Sequence, residues 1–293
     1  MSGPRVVVIG DVIDDILVTV ESTPRHDTDT PARIVRSSGG SAANTASWLA
    51  HLGLQVDFVG RVGESDLERF TAEFISQGVT PHLTSHLSAP TGTIVIIVEG
   101  ESRSMLSDRG ANVGLDVSSF DQSLLASASW LHLTGYSFFH HPTPTSLHEL
   151  ILRAADQGTT VMVDASSSGF LEDFGPSLFL ELTTGAHVLR CSEDEALVLG
   201  GTDDLASCAA VLGAKYPLVV VTRGDAPVVV VEQGRLYEVG VPLPQRSVDP
   251  TGAGDAFNAG LLAALVEGSE GAEAVERGIA VAAQCVMVPG ARP

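Results

Sequence analysis

Short apolar runs rich in β-branched residues recur through the chain and close on small or polar residues, and this recurrence restricts the fold more than any single position does. Val6-Val7-Val8-Ile9 ends at Gly10-Asp11, Trp130-Leu131-His132-Leu133-Thr134 at Gly135, Val161-Met162-Val163 at Asp164, and Leu218-Val219-Val220-Val221 at Thr222-Arg223-Gly224-Asp225. Another run surrounds His187-Val188-Leu189-Arg190. Uninterrupted runs of this length suit strands buried on both faces. Helical spacing lies between and after them, at residues 146–155, 193–199 and 272–283 among others. Strand and helix in alternation predict an open, mostly parallel α/β sheet flanked by helices. Such sheets bind ligands at the carboxyl ends of their strands, which places Asp15, Gly135, Asp164 and Thr222 along one edge.

Other strands fit a smaller sheet. Ile16-Leu17-Val18 and the more polar Ala32-Arg33-Ile34-Val35-Arg36 read as strands, and residues 93–98 and 103–106 flank the turn Glu99-Gly100-Glu101 as a hairpin. Together they predict a discontinuous β lid at about residues 15–38 and 92–108. With 293 residues, 44% of them hydrophobic, the chain has enough apolar material for one large domain carrying this appendage.

Sixteen basic residues against 36 acidic ones give a net charge of -20, a field that opposes nucleic acid and anionic membrane as partners. The one lysine, Lys215, lies outside any glycine-rich loop, so the GxxxxGK[ST] phosphate loop is excluded. Gly10 through Asp15 lacks the GxGxxG spacing, and the nine histidines form no HExxH pattern. His140-His141 precedes Pro142 and is expected to face solvent. Cys191, Cys208 and Cys285 are too dispersed for a metal cluster, apolar runs are short, and the first residues lack a hydrophobic leader, so a cytoplasmic location is expected.

Chemistry concentrates near residues 247–260, where an extended segment gives way to a helix starting near Asp255. Gly252, Ala253 and Gly254 let a ligand approach the backbone, and first-turn amides can cradle an anion. A carboxylate at that helix end, Asp255, is suited to accept a proton from a hydroxyl attacking a phosphoryl group. Gly39-Gly40-Ser41-Ala42-Ala43-Asn44 leads into a second helix over 45–52. Asp11 and Asp14 read as loop residues, whereas Asp15 could accept hydrogen bonds from sugar hydroxyls. Arg103 and Arg109 could reach a negatively charged substrate. Residues 192–195, Ser-Glu-Asp-Glu, form either an acidic helix start or a cation-linked contact.

Three of these segments, in this order, resemble the ribokinase-like, pfkB family of carbohydrate and nucleoside kinases. They are Gly10 to Asp15, Gly39 to Asn44, and Asp249-Pro250-Thr251-Gly252-Ala253-Gly254-Asp255-Ala256-Phe257, which is similar to the family's DxTGAGDxF. The resemblance implies a single ribokinase-like domain over 1–293, ATP and Mg2+ as cofactors, and Asp255 as catalytic base with Gly252, Ala253 and Gly254 forming the anion hole. It assigns Asp15, Gly39, Gly40 and Asn44 to the acceptor, Ser192, Thr222 and Gly224 to ATP, and Glu195 to Mg2+ through water. Asp249 is a further candidate, organising the phosphate or a nearby K+ loop.

Departures from the family bear on the acceptor. Ser41 replaces the lysine of GGKGAN, Ile13 lacks an Asn function, and Gly135 stands where ribokinases carry an acidic sugar contact, so D-ribose is disfavoured. Ser192 replaces an Asn in an NxxE-like segment. Arg103 and residues 108–112 look similar to hexose or keto-deoxy-sugar kinases, which suggests fructose or 2-keto-3-deoxygluconate. The alternatives are an adenosine or other nucleoside kinase and a noncatalytic sugar-binding or regulatory protein. Exposed lid edges make a homodimer an added expectation.

Overall fold

The computed structural model describes residues 4–99, 102–117, 122–242 and 248–293. Gly100, Glu101 and Ser247 lie outside the described residues, as does the side chain of Arg103. Thirteen strands are present among the described residues: β1 (Arg5–Ile9), β2 (Ile13–Val20), β3 (Ala32–Gly39), β4 (Gln55–Gly63), β5 (Val79–His86), β6 (Gly92–Glu99), β7 (Ser102–Asp108), β8 (Trp130–Thr134), β9 (Thr160–Asp164), β10 (Val188–Ser192), β11 (Leu218–Arg223), β12 (Ala226–Glu232) and β13 (Arg235–Val239). The helices are α1 (Ser41–His51), α2 (Leu67–Ser76), α3 (Gln122–Ser127), α4 (Gly135–Phe139), α5 (Thr145–Asp156), α6 (Ser168–Phe174), α7 (Pro176–Leu182), α8 (Glu193–Gly200), α9 (Leu205–Gly213), α10 (Ala253–Val266) and α11 (Gly271–Cys285).

The large sheet runs β13-β12-β11-β10-β9-β8-β1-β4-β5. It is parallel from β11 to β5, and β12 and β13 add an antiparallel edge. Alternate residues of its buried strands serve two cores. Val6 and Val8 pack with Phe257, Leu261 and Val281 of α10 and α11 on one face. Val7 and Ile9 pack with Phe138, Leu150 and Phe179 on the other. This two-sided burial explains why the strands read as continuous apolar runs rather than alternating ones.

After β1 the chain passes to β4 and β5 on one side, and later to β8 and β9 on the other. The order therefore reverses between β1 and β8, where an open α/β sheet leaves a crevice. Gly10 lies at that crevice: a Cβ on it would fall 2.5 Å from the Ala42 Cβ and 3.1 Å from Ser137 Oγ.

The small sheet has the order β3-β2-β6-β7, with β2 and β6 parallel and both hairpins antiparallel. Its edge strands leave Ile34, Met105 and Leu106 about three-fifths exposed, at 62%, 61% and 60%. Asp15 belongs to β2 of this sheet, opposite Ser37 and Ile94. It therefore belongs to the small sheet, as the lid span starting near residue 15 expects, and not to the edge of the large one, where the strand pattern also placed it. Among the described residues no single helix is long and apolar enough to cross a membrane.

Candidate active site

α10 begins at Ala253, preceded by Gly252 in a left-handed conformation with φ 79°. A Cβ on Gly252 would come within 2.6 Å of Ala291 Cα, so the turn before the helix needs glycine for both conformation and space. Asp249 ties this turn together: its Oδ1 accepts from Thr251 N (3.0 Å) and its Oδ2 from Gly290 N (3.2 Å). Ala253 N donates to Pro250 O (3.2 Å), so any anion cradle rests on the amides that follow it.

Asp255 occupies the first turn of α10. Its Oδ1 accepts from Ser41 Oγ (2.7 Å) and its Oδ2 from Asn44 Nδ2 (2.8 Å). Burial pushes the carboxyl up to about 7; the Ser41 and Asn44 hydrogen bonds oppose the rise, while Asp164 and Asp11 add to it. A group poised there can hold or release a proton near neutrality.

Helix α1 starts at Ser41 rather than at Thr45, with Gly40 as its N-cap at φ 97°. Ser41 and Asn44 therefore lie in the first helical turn, where both side chains reach the start of α10. Asn44 is not a cap: the cap position belongs to Gly40, which makes no side-chain bond. A Cβ on Gly40 would fall 2.5 Å from Asp11 O, and one on Gly39 would collide with the Asp15 carboxylate. The double glycine thus makes room for two acidic residues. Burial raises Asp15 to about 7, reinforced by Asp11 and opposed by Arg292.

Asp11 is more than a loop residue. It is 4% exposed, accepts from Ala42 N (3.3 Å), and pairs with Arg109 (Nη2 to Oδ2, 3.1 Å). Arg109 is likewise buried, with its guanidinium 4.8 Å from the centre of the Tyr136 ring. It forms part of the site wall, although it is engaged with protein rather than free for a substrate. Arg109, Asp11, Asn112, Tyr136, Ser137 and His140 line a small cleft there. His140 and His141 are half-buried with enclosed Nε2 atoms, contrary to the solvent-facing position expected beside Pro142. Phe170 lies edge-on to His140, with ring centroids 5.0 Å apart, and covers that ring.

A larger cavity of about 480 Å³ opens on the other flank of the α10 start. Thr222, Gly224, Ala253 and Gly254 line it together with Arg190, and Val228, Val241, Phe257 and Ile279 supply apolar wall. Ser192 is not among the lining residues. It caps α8: its Oγ accepts from Glu195 N (3.3 Å), and Glu195 Oε2 accepts from Ser192 N (2.8 Å), closing a capping box.

Arg190 escaped attention in the sequence. Its Nη1 pairs with Asp164 Oδ2 (2.9 Å) and its Nη2 donates to Thr222 Oγ1 (2.7 Å), while Asn258 Nδ2 donates to the same Asp164 oxygen (2.6 Å). A Cβ on Gly254 would lie 3.3 Å from both terminal guanidinium nitrogens, so Arg190 sits directly under the helix start. An arginine within an otherwise apolar strand run was the available signal.

A family model described as pfkB family carbohydrate kinase matches residues 4–293. Fructokinase from Klebsiella pneumoniae is 28% identical over 270 residues, covering 89% of this chain and 84% of that protein. The solved structure of a probable sugar kinase from Rhizobium etli CFN 42 superposes with a TM-score of 0.89 at 25% identity, covering 100% of this chain and 96% of the other. Adenosine kinase from Sinorhizobium meliloti superposes equally well, with a TM-score of 0.89 at 26% identity and the same coverages. The match runs through both sheets and the helix start carrying Asp255, and the chain belongs to the pfkB family of carbohydrate kinases.

Proposed function

We propose that the protein transfers the terminal phosphoryl group of ATP to a hydroxymethyl oxygen of a small sugar, with Asp255 as the base. The observation that carries this reading is the position of Asp255, which is hydrogen-bonded to Ser41 and Asn44 and follows Gly254, a residue that lines the 480 Å³ cavity. The cavity suits a nucleotide: Val228, Val241, Phe257 and Ile279 give it apolar wall, while Gly254 and Arg190 bring the helix start and a cation to it beside Asp255. Among the described residues no three His, Cys, Asp or Glu side chains converge as a metal cage. Mg2+ ordinarily keeps waters and phosphate oxygens as ligands and, when bound, would offset phosphate charge. Glu195, buried beside Asp164 and Arg190, is the carboxylate proposed to hold its water.

Each Asp255 carboxylate oxygen accepts one of these bonds and keeps a second lone pair, so the acceptor hydroxyl could donate to Asp255 with Ser41 and Asn44 still in place. Asp15 and Asn44 would orient the other hydroxyls, and the small sheet carrying Asp15 would exclude water. Asp11, Arg109, Asn112, Ser137 and two histidines give the cleft many polar groups, with Tyr136 the one Phe, Tyr or Trp among its described lining residues, which favours a sugar such as fructose or 2-keto-3-deoxygluconate over a nucleoside. A homodimer paired through the apolar edges of the small sheet belongs to the same proposal.

The test is ATP consumption with Mg2+ against a panel of sugars, keto-deoxy acids and nucleosides, with phosphorylated products identified by mass. A phosphorylated sugar is expected. Preferred turnover of adenosine would replace the acceptor, and sugar binding without any product would replace the enzyme by a binding protein.

Asp15→Asn separates binding from stability. Losing a charged hydrogen-bond partner should raise acceptor KM about tenfold or more. Stability should move the other way. A carboxyl whose folded value is about 7 holds a proton between about pH 4 and 7 that the unfolded chain has released, so its contribution is lost as pH rises through 7. The neutral amide should therefore raise Tm at pH 8 more than at pH 5; an equal or opposite change would refute the burial argument.

A further inference from the structure

Arg292 stands in no motif, yet its side chain is only 8% exposed and enters the pocket from the segment after α11. Its Nε donates to Asn44 Oδ1 (3.0 Å), Nη1 to Glu73 Oε1 (2.6 Å), and Nη2 to Gly39 O (2.9 Å). The guanidinium lies 5.5 Å from the centre of the Phe74 ring, which supports it from α2. One residue thus holds the glycine turn, the second helix and the Asn44 amide.

An amide has one acceptor end and one donor end. With Asn44 Oδ1 held by Arg292 Nε, the donor end Nδ2 must face Asp255, and it lies 2.8 Å from Oδ2. We propose that Arg292 is a positioning residue for phosphoryl transfer, fixing the Asn44 amide so that its N–H group aims and ionises the Asp255 carboxylate. The inference rests on reading Asp255 as the base. Without the arginine the amide is free to turn and bring its oxygen against Asp255 Oδ2, an arrangement that favours the protonated carboxyl.

The surrounding charges set the sign. Asp255 is faced by Asp11 at the end of β1, Asp164 of β9, Tyr136 of α4, Cys285 of α11 and Arg292. Arg292 is faced by Glu73, Asp15, Asp255 and Asp11. Removing a cation from this acidic surround raises the pH at which the base ionises.

The experiment compares Arg292→Met, Asn44→Ala and their double variant by the pH dependence of kcat. Arg292→Met should lower kcat about 10²-fold, as expected for a misaimed catalytic group, leave KM for ATP near its original value, and move the acid limb to higher pH. Added to Asn44→Ala, it should lower kcat little further and move the limb only by the smaller part owed to the lost charge, because its positioning role acts through that amide. An unmoved acid limb, or effects that multiply independently, would overturn the proposal. Should Arg292→Met fail to fold, Arg292→Lys keeps the charge without the planar fork; a smaller upward shift is expected there, and no shift overturns the proposal equally. Asp255→Asn, run alongside, separates the two claims: retained turnover removes the base assignment, whereas collapsed turnover with an unmoved limb in the arginine variants removes only the role of Arg292.

Discussion

Asp255→Asn is expected to lower kcat by about 10²–10⁴-fold, the usual range for loss of a positioned base, while ATP still binds. The substitution nearly conserves volume and spares the local hydrogen bonds. The new amide can turn its oxygen toward Asn44 Nδ2 and its NH2 group toward the Ser41 hydroxyl, so neither partner of the original carboxylate is abandoned. It also removes a buried ionisable group, and the variant should melt no lower than the parent at pH 8. What disappears is a proton acceptor. In the parent, kcat should fall as pH drops through about 7, because the protonated carboxyl cannot take the hydroxyl proton. Steady-state kinetics with calorimetric ATP binding checks both halves, and near-normal turnover would sink the assignment of Asp255.

Much of this centre was legible because its parts are local. A glycine-rich turn, a helix start and a carboxylate in the first helical turn occupy consecutive positions, 252–255. Runs of β-branched residues identified the strands for the same reason: two-sided burial leaves a continuous apolar stretch in the sequence. What escaped was long-range pairing. Asp11 meets Arg109 across 98 positions and Ser41 meets Asp255 across 214, and no periodicity announces either contact. Asp11 therefore read as a turn residue, and Ser41 only as a missing lysine. Ser192 and Glu195 show the opposite case: their spacing is the signature of a capping box, and the structure gives both side chains that local role. Asp15 read both as the first residue of the lid and as a residue of the large sheet's edge; β2 of the small sheet carries it, because spacing alone does not say which sheet a strand after a tight turn will join.

The buried group under the helix start leads to the second large effect. Arg190→Met should destabilise the protein by about 3–5 kcal/mol, because Asp164 would remain buried with its ionic partner gone. Asp164 is 2% exposed, and after the substitution its Oδ2 would keep only the Asn258 amide of the bonds described here. Tm should fall on the order of 10 °C. Adding Asp164→Asn removes the stranded charge, so the double variant should recover most of the loss; a double variant no more stable than Arg190→Met would refute the pairing argument. Function gives an independent readout. Arg190 is the cation among the described residues lining the 480 Å³ cavity, in a chain of net charge -20. The stabilised double variant should therefore still show a raised KM for ATP, since neutralising the pair restores folding without restoring positive charge beneath Gly254. If ATP affinity returned together with stability, Arg190 would serve only to hold α10 in place.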